Sequence, residues 1–99
     1  MDFQVLISPR ARDDLKVIVR FIGRHNSSAA LQFGKGLIEK ALSLKRQPWR
    51  GRVVPELNES SVRELIFKSY RIIYQISEKN TRVEILRFWH AARGTPEIE

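Results

Sequence analysis

Arg63, Arg71, Arg87, His90 and Arg93 crowd the last third of this 99-residue chain. They fall in VRELIFKSYRIIYQI and TRVEILRFWHAARG, whose Val, Ile, Tyr and Phe content reads as β-strand. A sheet serving only as core would carry Val, Ile and Thr where these charged residues stand. The substitution makes the sheet a candidate working surface. A guanidinium fork pairs with two oxygens of a phosphate or carboxylate at once. Histidine, with an ordinary pKa of ~6.5, moves a proton near neutral pH. Further upstream, Arg50 and Arg52 stand beside Trp49 and Gly51, a basic–aromatic patch of the kind that stacks on RNA. The plainer alternative there is a tryptophan closing the core beneath a loop.

The elements that must position these groups follow from periodicity and punctuation. Phe3–Ile7 is a short apolar run that reads as a first strand. Ser8 then suits a helix N-cap and Pro9 the first helical position, with Asp13 and Asp14 favourable to the helix dipole. Ala11, Leu15, Ile18, Val19 and Ile22 repeat at helical spacing to about Gly23. Arg10, Arg12, Lys16, Arg20 and Arg24 lie mostly off that stripe and read as a solvated face, while His25 suits the helix end as a dipole partner. A second helix follows Asn26-Ser27-Ser28, marked by Ala30, Phe33, Leu37, Ile38, Ala41, Leu42 and Leu44, and ends before Gln47-Pro48. Gly34 and Gly36 inside it imply close packing on the first helix.

Pro48–Ser61 reads as a loop, and strands follow at about Val62–Phe67, Tyr70–Ser77 and Arg82–Trp89. Their connections are too short for anything but antiparallel neighbours. Residues 91–99 read as a tail with at most one helical turn. The expected fold is α+β, in the order β-α-α-β-β-β. A two-helix hairpin covers one face of an antiparallel sheet, and the other face is left partly to solvent. Strict alternation places Tyr70, Ile72, Tyr74 and Ile76 opposite Arg71, Ile73 and Gln75. It groups Ile85 with Arg87 and Trp89, against Leu86, Phe88 and His90.

Composition bounds the rest. The length fits one domain, residues 1–99. The chain has no cysteine and two histidines, His25 and His90, so neither a disulfide nor a histidine-rich metal site is expected. The N-terminus lacks a basic region followed by a long apolar run, and no window approaches the ~20 apolar residues of a membrane span; a cytoplasmic protein without membrane contact is expected. Eighteen Lys and Arg against eleven Asp and Glu leave a net charge of +7, which favours an acidic protein or nucleic acid as partner.

Four segments, in order and over nearly the whole chain, resemble the RelE/ParE superfamily of bacterial toxins from type II toxin–antitoxin modules. They are SPRARDDL at the first helix, GRVVPE at Gly51–Glu56, REL with YRIIY at Arg63–Leu65 and Tyr70–Tyr74, and EILRFWHAAR at Glu84–Arg93. The combination is most similar to the ParE-like branch, the plasmid stabilisation proteins. The resemblance implies a growth inhibitor neutralised by a cognate antitoxin, whose acidic segment lays a helix or strand on the toxin. In the ParE-like branch the implied target is DNA gyrase, with no nuclease chemistry. The alternatives are a RelE-like, ribosome-dependent mRNA endonuclease and a non-toxic module that keeps the fold and the antitoxin.

Under the nuclease alternative Arg71 matches the arginine that stabilises charge at the scissile phosphate. His90 matches a terminal histidine acting as general acid or base, and Glu56 is the nearest carboxylate for the other half. Each has a structural alternative: Arg71 paired with Glu64 or Glu84, and His90 packed beside Phe88 and Trp89. Arg63, Arg71, Arg87, Arg93, Arg50 and Arg52 are candidate target or antitoxin contacts. RelE's clustered lysines and C-terminal tyrosine have no counterpart here, since no tyrosine follows His90. No metal or cofactor is implied.

Overall fold

The computed structural model describes residues 2–98. It contains β1 (Gln4–Ile7), α1 (Pro9–Gly23), α2 (Ser27–Leu42), β2 (Arg52–Val53), β3 (Val62–Phe67), β4 (Tyr70–Ser77) and β5 (Arg82–His90), with 3-10 turns at Ser43–Lys45, Pro48–Arg50 and Ala91–Arg93. Ser8 caps α1 by accepting from the Ala11 N–H, and Asn26 caps α2 by accepting from the Ala29 N–H.

The five strands lie in the order β1-β5-β4-β3-β2. Two features differ from the sequence expectation. First, β1 pairs with β5 in parallel, so the sheet is mixed rather than wholly antiparallel. Short turns dictate direction only for β3, β4 and β5; β1 reaches the sheet from the far side of the helical hairpin and is free of that constraint. Second, the Pro48–Ser61 stretch is not all loop. Arg52–Val53 adds a two-residue edge strand to β3, too short to leave an alternation signal.

The register also breaks. Ile73 pairs with Arg87 but Tyr74 pairs with Ile85, so Leu86 is an extra residue in β5. The bulge resets the pleat. Ile85 joins Phe88 in the core beneath the helices, while Trp89 joins Val54, Val62 and Ile73 in a second cluster on the opposite face. The expected grouping of Ile85 with Arg87 and Trp89 therefore fails, because strict alternation does not survive a bulge.

That opposite face is left only partly to water, with Ile66 52% exposed on it. The segment after Pro48 folds over it, bringing Val54 into the second cluster, and the C-terminal residues return to it. Trp89 Nε1 donates to the Gly94 carbonyl, and Ile98 packs against the cluster. Gly94, at φ +85°, gives the chain the left-handed turn it needs to come back. Gly36 also corrects an expectation. A Cβ there would stand 2.7 Å from the Phe67 ring of β3, whereas only Gly34 meets α1, at Val19.

Tyr74 ties the returning segment to the main core. Its fully buried hydroxyl donates to the Pro48 carbonyl at 2.8 Å and accepts from the Gly51 N–H at 2.9 Å. Tyr74→Phe is expected to cost roughly 1–3 kcal/mol in urea unfolding, since it strands a buried amide as well as a carbonyl.

Candidate functional site

Each arginine of the sheet has a different environment, and burial sorts them. Arg71 is 7% exposed. Its Nε donates to Glu64 Oε1, while Nη1 and Nη2 donate to the two oxygens of Glu56 at 2.9 and 2.7 Å. Glu64, whose side chain is wholly buried, gives its second oxygen to Arg52 Nε. Arg52 and Arg71 thus sandwich a carboxylate inside the sheet, and Glu56 closes the outer end. Hydrogen bonds from Arg71 hold the Glu56 carboxyl down to about 2, against the burial that opposes this. The Arg71 guanidinium is pushed up by the same bonds.

Arg87 is equally committed. It forks onto both oxygens of Asp14 at 2.7 and 2.8 Å and donates to the Glu97 carbonyl. Asp14 also accepts from the Phe88 N–H at 3.0 Å, so α1 is riveted to the edge of β5 where β1 has ended. Arg87 and Arg93 both lie over the Trp89 ring, their guanidinium carbons 4.9 and 4.0 Å from its centroid. Arg63 straps its own loop, donating to the carbonyls of Ser60, Trp49 and Gly51 and lying over the Trp49 ring. Trp49 remains 40% exposed, so it does not close a core. Arg50 donates to Ser43 Oγ. Although the second face was expected to be partly open to solvent, Arg71 and Arg87 on it are both buried: Glu56 from the covering loop and Glu64 of β3 hold Arg71, while Asp14 of α1 and the Glu97 carbonyl hold Arg87.

The trio Arg71, Glu56 and His90 does not meet. Tyr70 opposes His90 in the register and Arg71 opposes Trp89, so Arg71 and His90 leave the sheet on opposite faces. Glu56 stays with Arg71. His90 packs edge-on against Tyr70, 5.0 Å between ring centroids, and its Nδ1 accepts from the Ala92 N–H. Among the described residues no three of His, Asp or Glu come close enough to hold a metal ion.

What the sequence reading missed lies on the helices. Leu15 and Val19 of α1 face Leu31, Gly34 and Ile38 of α2 across an open groove of about 400 Å³, with Lys35 and Glu39 completing its wall. Leu31 is 71% exposed and Leu42, one helical turn beyond Ile38, is 47% exposed. Leu31, Ile38 and Leu42 stand at i, i+7 and i+11, a second apolar stripe beside the one that α2 buries. That spacing was visible in the sequence, but Ile38 and Leu42 were read with the buried stripe and Leu31 was not singled out. The surrounding surface is basic: residues 9–47 hold nine Lys and Arg against three Asp and Glu, one of which is tied to Arg87.

Solved structures share this architecture. The chromosomal ParDE toxin–antitoxin system of P. aeruginosa aligns over 89% of this chain and 95% of its own, at TM-score 0.73 and 18% identity. The toxin–antitoxin complex RelBE2 of Mycobacterium tuberculosis aligns over 91% and 92%, at 0.67 and 26%. E. coli toxin RelE, a double-arginine mutant in the free state, aligns over 95% and 88%, at 0.66 and 14%. A mixed sheet under a two-helix hairpin is thus the fold of RelE/ParE superfamily toxins. Residues 5–94 match the family described as ParE toxin of type II toxin-antitoxin system, parDE, and the chain belongs to it. A comparison with curated proteins gives no match.

Proposed function

We propose that this chain is a growth-inhibiting toxin that acts through DNA gyrase and is neutralised by an acidic antitoxin. One observation carries the choice against mRNA cleavage: Arg71 is buried with all its forked donors on Glu64 and Glu56, and His90 leaves the other face of the sheet. Phosphodiester cleavage through the 2′-hydroxyl needs base, acid and charge stabiliser around one phosphate. Here the stabiliser is occupied, the carboxylate serves as its counter-ion, and the histidine is elsewhere. Inhibition by binding needs none of these to converge.

The helical groove supports the antitoxin reading. Its apolar floor and basic surroundings suit an amphipathic helix with acidic flanks, the helix-in-groove mode of recognition.

The chain should be induced in a bacterium lacking the antitoxin, with mRNA ends at translating ribosomes and gyrase-dependent DNA breaks followed in the same cells. DNA breaks with intact mRNA are the expected result. Cut mRNA with normal supercoiling would overturn the gyrase reading. A soluble, folded product that leaves growth unchanged would favour the non-toxic module.

A further inference from the structure

The outer fork of Arg71 is filled by a carboxylate that reaches it from the surface. We propose that this fork is a carboxylate-binding seat that Glu56 occupies in cis and that an acidic segment of a partner protein can take over.

The geometry separates the two ends of the guanidinium. Nε belongs to Glu64, which is fully buried beneath it and shared with Arg52. Nη1 and Nη2 form the outward pair, and both are satisfied only by Glu56. Glu56 itself is anchored lightly. Its side chain is 29% exposed, and it sits in a turn held by the Leu57 and Asn58 N–H groups on the Val54 carbonyl, outside any strand.

Charge makes the seat demanding. Arg52, Arg71, Glu64 and Glu56 balance as two cations and two carboxylates; without Glu56 the cluster is left with one net positive charge on a largely buried fork. Such a fork requires an anion. The rim specifies what kind. Leu57 is 41% exposed beside Glu56, Ile66 is 52% exposed and faces Arg71 in the register, and the Arg52 side chain is 63% exposed. Two apolar side chains and a cation around a carboxylate-shaped fork match an Asp or Glu flanked by apolar residues. Tethering gives Glu56 an effective concentration in the millimolar range or above. A free carboxylate therefore loses, whereas a segment that also buries Leu57 and Ile66 can displace Glu56 and release the turn. The seat is independent of whether the toxin's target is gyrase.

The test is chemical rescue of Glu56→Ala in the full chain. Thermal unfolding is followed while acetate replaces chloride at constant ionic strength, with inorganic phosphate as a parallel arm. The variant should melt below the wild type in chloride and recover saturably in acetate, by roughly 5–10 °C at about ten times the dissociation constant. The wild type, its seat already filled, should not respond. Equal responses in both proteins, or none in the variant, would overturn the seat. A response to phosphate without one to acetate would overturn the carboxylate assignment. If Glu56→Ala does not fold, Glu56→Gln is titrated the same way, because its amide offers the fork one acceptor instead of two.

Discussion

Arg71→Ala is expected to lower the unfolding free energy by about 3–5 kcal/mol, enough to leave little folded protein at 37 °C. The cost comes from what stays behind. Glu64 is wholly buried and would retain Arg52 alone, through a side chain that is 63% exposed. Glu56 would lose both bonds that hold its carboxyl down to about 2. Because that folded pKa lies below the ordinary ~4.3, the Arg71–Glu56 pair stabilises the wild type fully above about pH 4.3 and progressively less as the pH falls towards 2. The alanine variant should lack this acid limb. Urea unfolding at pH 7 and pH 3 reads both effects, and a loss under 0.5 kcal/mol at pH 7 would sink the structural assignment. Arg71→Met with Glu64→Leu removes both buried charges and should regain part of the loss. The consequence for function is direct: a non-toxic Arg71→Ala variant reports a missing fold before it reports a missing catalyst.

The pairing of Arg71 illustrates which contacts a sequence carries. Glu64 could be named as a partner, alongside Glu84, because strands joined by short connections are neighbours; the register then selects Glu64 and leaves Glu84 exposed. Glu56 could not, because it arrives from a loop whose path depends on Tyr74 holding Pro48 and Gly51 and on Val54 entering the second cluster. The same division runs through the fold. The limits of α1 were legible from Ser8, Pro9 and Gly23, and the three long strands from their apolar runs. The two-residue β2, the parallel β1 and the extra Leu86 were not, because each is fixed by tertiary contact rather than local pattern. Arg87 read as a target or antitoxin contact only while the chain after Gly94 was taken to trail away. Once the Glu97 carbonyl returns to it and Ile98 packs on the neighbouring Trp89, Arg87 is interior.

Leu31→Glu carries the second large expected effect, and it separates binding from stability. Leu31 is 71% exposed, so the isolated toxin should unfold within about 0.5 kcal/mol of wild type. Affinity for the antitoxin should instead fall roughly 30-fold or more, the loss of a central anchor worth about 2 kcal/mol or above. Two mechanisms add: an apolar contact is removed from the groove over Leu15, Val19 and Ile38, and a carboxylate is set against an acidic partner. Leu31→Lys removes the contact but keeps the charge complementary, so it should lose less and lose it more steeply as salt is raised. Val17→Glu, at a position that is 61% exposed on α1 and does not line the groove, is the control and should leave groove binding unchanged. Calorimetric titration with the purified antitoxin distinguishes these outcomes. If Leu31→Glu binds as tightly as wild type, the groove is not where the antitoxin helix lies. If it alone binds weakly, cells carrying both genes should stop growing, because a stable toxin would be released from a partner still present.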